Sequence, residues 1–322
     1  MEKLTITVPV YNEEAVLEDF FQRIVALRQS LPVTLELLFI NDGSSDRSLA
    51  IIRSFSQNNN WVGYINLSRN FGKEAAMSAA IDHANGDAVV IIDADLQDPP
   101  ELILEMVTLW REGYDAVYAQ RFERQGETWL KKTTAHWFYR LMQGVGGISL
   151  PRDTGDFRLL SRRSVLALRQ LPEKNRFMKG LFSWIGYPQV ALPYSRDPRT
   201  AGSSKFNYWK LWNFALDGIT SFTTFPLKLA TYLGVMIAFS AFIYGAFIVL
   251  RTVLFGDPVA GFPTLMTVIL FLGGVQLLFL GVLGEYMGRM FDETKNRPLY
   301  LVERVALPTE TLRPEFQGLS VL

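Results

Sequence analysis

The chain contains no cysteine and only two histidines, His83 and His136, among its 322 residues. Without cysteine there is no disulfide, no thiolate metal ligand and no cysteine nucleophile, and two histidines are too few for a multi-histidine metal centre. This composition fits a reducing compartment. Any chemistry must therefore use carboxylates, lysine, arginine, hydroxyl groups, or a metal bound through oxygen.

The chain also lacks a net charge. Lysine plus arginine and aspartate plus glutamate both number 32, so the formal net charge is zero. A protein that binds nucleic acid would carry a basic excess, and the composition therefore predicts no nucleic acid partner. The length is enough for about two domains of roughly 150 residues each.

Apolar residues are abundant, and they concentrate in two long segments. The mean hydropathy is +0.12. Leu229–Leu250 contains 22 residues without a charge, and Pro258–Gly284 contains 27. As a helix the first segment is about 33 Å long, which matches a hydrocarbon core of roughly 30 Å. A buried core helix is the alternative, but core helices seldom run so far without a charge. We predict two transmembrane helices.

The charges beside these segments predict their orientation. The loop at 251–257 holds one basic residue, whereas six lie outside the pair within about 20 residues of it. This asymmetry predicts that both termini, and everything before residue 226, are cytoplasmic. Aromatic residues at 206–226 predict a helix in the membrane interface. The six basic residues are Lys210, Lys228, Arg289, Lys295, Arg297 and Arg304.

The first 120 residues alternate short β-rich runs with helical patterns, which predicts an open α/β domain with a mostly parallel sheet. One helical face between the first two strands is apolar, from Val16 to Leu27. Asp98 is predicted to cap a further helix that has Pro99 at its first position. The predicted strands are Leu4–Val10, Leu35–Ile40, Val62–Leu67, Ala88–Asp93 and Ala116–Ala119.

Polar and acidic residues follow four of these strands directly. Ligands of such sheets bind beyond the carboxyl ends of the strands, so these residues are the candidates for a site. The four segments are residues 9–13, 41–44, 68–73 and 93–95.

Asp93 and Asp95 are the central pair in this set. Separated by one residue at a strand end, they can direct two carboxylates toward one divalent ion. Mg²⁺ and Mn²⁺ prefer oxygen ligands, and Mg²⁺ usually joins one or two carboxylates to substrate phosphates. The position of the pair, more than its short pattern, favours a metal site.

Three other charged residues each have two interpretations. Asp42, followed by Gly43, is either a ligand-binding carboxylate or part of a turn. Lys73 either contacts phosphate or is a solvated lysine. Asp156 either faces a reaction centre or pairs with a nearby arginine. A basic, hydroxyl-rich loop at 196–205 either binds phosphate or anchors the chain to anionic lipid.

Taken together, the motifs resemble the family 2 glycosyltransferases with a GT-A fold. Within that family they are most similar to the polyprenyl-phosphate branch, which includes dolichol-phosphate mannose synthases and the bacterial bactoprenol glucosyltransferases of O-antigen modification. The resemblance covers about residues 4–303. The motifs that carry it are Val8–Glu14, Asn41–Asp46, Asn66–Lys73, Asp93–Pro100, Thr154–Arg158, Arg176–Gly180, Gly284–Arg289 and Arg297–Tyr300.

The resemblance implies a role for each matching position. Asp93, Asp95 and Gln97 would hold Mg²⁺ or Mn²⁺, and Asp95, Asp156 and Arg199 would be the catalytic residues. The nucleotide of the donor would contact Pro9, Tyr11, Glu13, Asp42, Lys73 and Asp93. Acceptor and phosphate groups would contact Arg124, Arg199, Ser203 and Lys205, of which the last three fit the family loop loosely.

The implied function is inverting, metal-dependent transfer of a hexose to polyprenyl phosphate. The expected donor is UDP-glucose, the acceptor undecaprenyl phosphate, and the place the cytoplasmic face of the bacterial inner membrane. The alternatives are GDP-mannose or a UDP-aminopentose as donor, or a membrane-anchored binding or scaffold protein without turnover. The family implies a homo-oligomer, such as a tetramer.

These inferences divide the chain into four parts. Residues 1–205 are expected to form the GT-A domain, 206–226 the interfacial helices, 227–285 the two transmembrane helices, and 286–322 a cytoplasmic tail.

Overall fold

The computed structural model describes residues 2–121, 154–174, 176–194, 223–255 and 261–308. The chain divides into two compact units. One comprises Met1–Asn213 together with Pro298–Leu322, and the other comprises Phe214–Arg297. The predicted interfacial segment at 206–226 lies almost entirely outside the described residues.

The first unit is built on one eight-stranded sheet. The strand order is β7-β5-β6-β4-β1-β2-β3-β8. The strands are β1 Lys3–Val10, β2 Thr34–Asn41, β3 Val62–Leu67, β4 Ala88–Ile91, β5 Ala116–Arg121, β6 Thr154–Ser161, β7 Gln189–Tyr194 and β8 Val302–Ala306.

Within the described residues, six helices of the first unit connect or flank these strands, and the second unit has two longer helices. A short 3₁₀ turn at Pro100–Leu102 precedes α4. The helices are α1 Leu17–Ser30, α2 Ser48–Asn58, α3 Lys73–His83, α4 Ile103–Arg111, α5 Arg162–Arg169, α6 Met178–Trp184, α7 Phe225–Phe255 and α8 Phe262–Thr294.

The predicted α/β fold with a mostly parallel sheet is confirmed. Strands β3, β2, β1 and β4 run parallel in that spatial order, and β7 is parallel to β5. Strand β6 is antiparallel to both β4 and β5, which joins the two parallel groups. All five predicted strands are present within one or two residues of their predicted bounds. Strands β6, β7 and β8 were not predicted.

The core is formed where α1 packs on the sheet. Phe20 and Ile24 are fully buried, and the rings of Phe20 and Phe39 meet edge to face with centroids 6.4 Å apart. On the same side Phe21 stacks on Phe55 at 4.1 Å. The helical spacing of these apolar residues places them on one face, as predicted, because residues three and four apart share a face of a helix.

The predicted helix start at Asp98 and Pro99 is wrong. The helical turn begins at Pro100, and Pro99 has extended backbone angles, φ −70° and ψ 121°. The residue before a proline is disfavoured in the helical region by its clash with the proline ring, and Pro99 precedes Pro100. Asp98 does not cap this turn. Its side chain accepts a hydrogen bond from the Tyr194 hydroxyl.

The segment that follows the long helices returns to the sheet. Strand β8 pairs antiparallel with β3 and forms one edge of the sheet. The Tyr300 hydroxyl donates to Asp82 at 2.9 Å, which fixes the start of this segment to α3. A strand in this part of the chain was not foreseen, since its five residues carry no clear alternation of apolar and polar types.

The second unit contains two long apolar helices. Their most apolar stretches are Phe225–Phe247 and Phe271–Thr294, and no residue of either stretch is buried. Large apolar side chains such as Phe242, at 76% exposure, and Leu277, at 71%, face outward. A core helix of a soluble protein would bury such residues, so the pair indicates association with a membrane. Helix α8 continues ten residues beyond the predicted end of the second span at Gly284.

Candidate active site

The loops after β1 and β2 hold each other in place. The backbone N–H of Asn12 donates to Ser44 Oγ at 3.0 Å, and the N–H of Ser45 donates back to Asn12 Oδ1 at 2.8 Å. The N–H of Glu14 donates to Asp46 Oδ2 at 3.1 Å. Asn12 adopts φ 55°, a left-handed conformation that asparagine tolerates better than most residues. Most polar side chains of these two motifs therefore fix the shape of the loops.

Three predicted nucleotide-binding residues lie on the first of these loops or just before it. Pro9 is within β1, opposite Ile40. The side chain of Tyr11 is 43% exposed at the end of that strand. The N–H of Glu13 donates to Ser48 Oγ at 2.9 Å, which ties the loop to the start of α2. Of the three, Tyr11 presents the largest open surface to a ligand.

Asp42 holds the loop that joins β3 to α3. This β3–α3 loop comprises Ser68–Gly72. The buried Asp42 carboxylate accepts the N–H of Phe71 at 2.7 Å through Oδ1 and the N–H of Gly72 at 3.0 Å through Oδ2. Each oxygen therefore has a backbone partner. The Asp42 carboxylate therefore stabilises a loop distant in sequence, and its predicted contact with a ligand stays a prediction.

Lys73, the first residue of α3, connects two predicted site residues. Its Nζ lies 2.8 Å from Asp93 Oδ2 and 2.5 Å from Asp156 Oδ2. Burial acts to lower the pKa of Lys73, but the two carboxylates outweigh that effect and raise the pKa above its ordinary value. Lys73 is therefore a cation at neutral pH. It contacts Asp93, just after β4, and Asp156, near the start of β6.

Asp156 lies among several cations. Burial alone would raise the pKa of this carboxyl group, but Lys73, Lys179 and Arg158 outweigh burial and hold the pKa at about 2. The Lys179 Nζ donates to the Thr154 carbonyl at 3.2 Å. The guanidinium of Arg158 lies 3.9 Å from the ring centroid of Phe182. Asp156 is thus ionised throughout the neutral range and is a weak base.

Glu74 is the neighbour of Lys73 and behaves in the opposite way. Burial raises the pKa of Glu74 to about 7, helped by the negative charge of Asp156 and opposed by a hydrogen bond from the Met178 N–H at 2.9 Å. Two carboxyl groups close together thus differ widely in pKa, because one has direct cationic partners and the other does not.

The turn after β4 carries the remaining predicted metal ligands. Asp95 Oδ1 accepts the N–H of Gln97 at 3.1 Å, and Leu96 between them adopts φ 59°. Gln97 is 1% exposed, and neither its amide nitrogen nor its amide oxygen has a hydrogen-bond partner in the described part of the chain. A buried amide without a partner costs free energy unless a ligand or water satisfies it.

These residues fit a divalent ion in their donor chemistry. Among the described residues no three His, Cys, Asp or Glu side chains form a group that could hold a metal ion. Asp93, Asp95 and the amide oxygen of Gln97 nevertheless offer three oxygen donors in one short segment. Mg²⁺ commonly takes one or two protein carboxylates and completes its coordination with water and substrate phosphate. A metal here would need ligands from the substrate as well.

Four predicted site residues, Arg124, Arg199, Ser203 and Lys205, lie outside the described residues. Their predicted contacts with acceptor and phosphate groups remain predictions.

Sequence reasoning missed four residues near the site, Glu74, Lys179, Tyr194 and Arg121. The hydroxyl of Tyr194 donates to Asp98, and Arg121 Nε donates to that hydroxyl at 3.3 Å. Lys179 lies in the motif at 176–180, Glu74 ends the motif at 70–74 and Arg121 belongs to a basic cluster, but the sequence assigned a role to none of them. Glu74, Arg121 and Tyr194 come together through β5, β7 and α3, whose contacts depend on the fold.

The chain matches two known protein families. Residues 5–168 match the family described as "Glycosyl transferase family 2". Residues 225–290 match the family described as "GtrB C-terminal hairpin". The first match covers strands β1 to β6 and the Lys73 site, but not β7 or β8, and the second covers α7 and most of α8.

Relatives match almost the whole chain. An uncharacterized glycosyltransferase of Synechocystis is 54% identical over 93% of this chain and 94% of its own length. An SfII prophage-derived bactoprenol glucosyl transferase of Shigella flexneri is 47% identical over 94% of this chain and 98% of its own. A prophage bactoprenol glucosyl transferase homolog of Escherichia coli is 46% identical over 94% and 99%.

A substitution at Gly43 tests the packing of the β3–α3 loop. Gly43 has φ +66°, and a Cβ there would lie 2.4 Å from the carbonyl carbon of Arg69 and 2.5 Å from the nitrogen of Asn70. Gly43→Ala is therefore expected to displace the loop and to lower the thermal unfolding midpoint. Gly186→Ala is the matched control, because Gly186 has φ +69° and a Cβ there would make only an ordinary contact, 3.8 Å from the Trp184 carbonyl oxygen. The control should show only the backbone cost of about 1–2 kcal/mol. Equal midpoints for the two variants would contradict the close packing.

The raised pKa of Glu74 predicts a pH dependence of stability. The folded pKa of about 7 lies above the ordinary 4.5, so the contribution of Glu74 is fully present below pH 4.5 and is lost as pH rises through 7. Glu74→Gln keeps an acceptor for the Met178 N–H and cannot ionise. Thermal midpoints measured from pH 4.5 to 7.5 should therefore decline less in this variant than in the wild type. The exposed Glu105→Gln should follow the wild type, and an unchanged decline in Glu74→Gln would refute the assignment.

Proposed function

The chain belongs to glycosyltransferase family 2, and we propose that it transfers glucose from UDP-glucose to undecaprenyl phosphate, giving a lipid-linked sugar. The geometric observation that carries the proposal is the position of Lys73 between Asp93 and Asp156. The Lys73 ammonium group links Asp93, which is expected to lie on the donor side, with Asp156, which is expected to face the acceptor. The choice of sugar and lipid is supported by relatives named bactoprenol glucosyl transferases.

On the donor side, we assign the nucleotide to the ends of β1 and β2. Pro9, Tyr11 and Glu13 would line this part of the site, and Asp42 would shape it by holding the β3–α3 loop. Lys73 would then lie beside the diphosphate, where its positive charge offsets the charge that develops on the leaving group.

We assign a divalent ion, Mg²⁺ or Mn²⁺, to Asp93, Asp95 and Gln97. The buried side-chain amide of Gln97, which has no hydrogen-bond partner among the residues that the structure describes, supports this assignment. The ion would supply further neutralisation of the nucleoside diphosphate as it departs.

On the acceptor side, the nucleophile is a phosphate monoester with a second pKa near 6, so it is largely dianionic at neutral pH. It needs no base to remove a proton. This agrees with the pKa of about 2 at Asp156, which leaves that carboxylate a poor base. We assign Asp156 an orienting role: it holds Lys73 in place. Attack of the phosphate oxygen on the anomeric carbon breaks the bond to the diphosphate and inverts the configuration at that carbon.

The apolar helices of the second unit suit a membrane, which is where a lipid acceptor lies. A polyprenyl phosphate keeps its chain in the bilayer and its phosphate at the surface. Helices α7 and α8 are apolar and unburied over lengths that span a hydrocarbon core. We propose that they cross the membrane and that the first unit lies on the cytoplasmic side.

A donor panel tests the function. Purified protein in detergent is incubated with undecaprenyl phosphate, Mg²⁺ or Mn²⁺, and one of three donors: UDP-glucose, UDP-galactose or GDP-mannose. The mass of the lipid product is then measured by mass spectrometry. We expect a hexosyl-phosphoryl lipid from UDP-glucose, lost with chelator. Asp95→Asn should lower turnover at least about 100-fold, the scale of losing one stabiliser of transition-state charge. Asp19→Asn, on the exposed side of α1, is the matched control.

Other outcomes separate the alternatives. Product from GDP-mannose alone would support the proposed mechanism but contradict glucose as the transferred sugar. Binding of nucleotide sugar without product from any donor would favour a scaffold protein. Full activity of Asp95→Asn would contradict the metal assignment.

The orientation can be tested because the chain has no cysteine of its own. Single cysteines at Asp257, between the two spans, and at Gln57, exposed on α2, can be labelled without background. A maleimide that does not cross membranes should label Asp257→Cys in intact spheroplasts and Gln57→Cys only after permeabilisation. The reverse pattern would contradict a cytoplasmic first unit.

A further inference from the structure

Strand β8 contains one residue too many for regular pairing with β3. Asn66 is opposite Arg304, and the next residue, Leu67, is opposite Val302, so Glu303 has no partner of its own in the register. This is a β-bulge. Bulges commonly redirect a side chain and occur often beside active sites.

The Glu303 side chain contacts the end of β3. Its Oε2 accepts a hydrogen bond from Asn66 Nδ2 at 2.5 Å. The Asn66 Oδ1 in turn accepts from Asn41 Nδ2 at 2.6 Å. Asn41 and Asn66 are both buried, at 1% and 3% exposure, and Asn41 directly precedes Asp42. A continuous chain of side-chain hydrogen bonds therefore joins β8 to Asn41, the residue just before the Asp42 that holds the β3–α3 loop.

The same stretch of chain also contacts the loop directly. The N–H of Ser68, the first residue of the β3–α3 loop, donates to the Leu301 carbonyl at 2.9 Å. The other end of the loop is held by Asp42 through Phe71 and Gly72. Lys73 follows immediately and reaches Asp93 and Asp156. One end of the loop is thus bonded to the residue just before β8, and the other is held by Asp42, next to the Asn41 that the Glu303 hydrogen-bond chain reaches.

We propose that Glu303 is a positioning residue for the donor site: its bulged carboxylate fixes the Asn66 and Asn41 amides, and through them the β3–α3 loop that presents Lys73. The inference deepens the proposed function and rests on it, because it assumes that this loop contributes to donor binding. A carboxylate suits the role, since hydrogen bonds to an ionised acceptor are stronger than neutral ones.

The test compares three variants of the full-length protein in detergent. Glu303→Ala removes the acceptor, and Glu303→Gln keeps an amide oxygen in the same place. Arg304→Ala is the matched control, because Arg304 is an exposed neighbour on β8 with no side-chain hydrogen bond among the described residues. We expect Glu303→Ala to raise the KM for UDP-glucose about fivefold with little change in kcat, the scale of one lost net hydrogen bond. The KM of Glu303→Gln should remain within about twofold of the wild-type value, and the KM of Arg304→Ala should equal the wild-type value.

A second measurement does not depend on the donor. Hydrogen exchange of the Phe71 and Gly72 amides, followed by mass spectrometry without ligand, should be about fivefold faster in Glu303→Ala and unchanged in Arg304→Ala. Asn66→Asp replaces the donor with a carboxylate that faces Glu303, so it should accelerate exchange at least as much. The double variant with Glu303→Ala lacks that repulsion and should exchange no faster than Asn66→Asp alone.

The two measurements separate failure of the inference from failure of the proposed function. Wild-type protein that does not use UDP-glucose would overturn the proposed donor, while the exchange experiment would still decide the role of Glu303. If Glu303→Ala has the same amide exchange rates and the same KM as the wild type, the positioning role is overturned, even if turnover of UDP-glucose is confirmed. Equal effects of Glu303→Ala and Arg304→Ala would also overturn it, because they would indicate a general weakening of β8.

Discussion

The ammonium group of Lys73 lies between the carboxylates of Asp93 and Asp156, and the rest of the site is arranged around this contact. It joins Asp93, two residues beyond the parallel strand β4, Asp156, the third residue of the antiparallel strand β6, and the first residue of α3. No two of these three residues are within 19 positions of each other in the chain. The pairing places two carboxylates on one cation, and the cations around Asp156 hold the pKa of that carboxyl group low, which burial alone would oppose. Around it, Lys179 and Arg158 add positive charge near Asp156 and Glu74 becomes harder to ionise.

The polar residues of the strand-end motifs divide into two groups. One group shapes the loops: Asn12, Ser44 and Ser45 fix the first two loops to each other, and Asp42 holds the third. The other group faces outward, as Tyr11 does, or has a side chain without a partner in the described part of the chain, as Gln97 does. A motif that resembles a ligand-binding signature therefore contains many residues whose direct partners are backbone amides. The distinction matters for mutagenesis, because loss of Asp42 would alter a loop rather than remove a ligand contact alone.

The sequence predicted the parallel part of the sheet well. Strands β1 to β4 are buried on both faces and consequently read as continuous apolar runs, which are a strong signal. Strands β6, β7 and β8 lie toward or at the edges of the sheet or run antiparallel, and their mixed composition gave no such signal. The helix start at Pro99 was wrong for a local reason, since Pro100 keeps the preceding residue extended. The role of Glu303 had no signal at all, because its partner Asn66 lies 237 residues away.

The sequence by itself determined the fold class, the family, the two apolar helices and the set of strand-end residues from which the site is built. The periodicity of apolar residues, the length of segments without a charge and short motifs are local properties, so they can be read directly from the order of residues. Only the tertiary structure decided which of those residues meet: that Lys73 bridges Asp93 and Asp156, that Asp42 holds the β3–α3 loop, and that the segment after the helices returns as an edge strand. Such contacts depend on strand order and register, because these decide which distant residues come within the short range of hydrogen bonds and ion pairs.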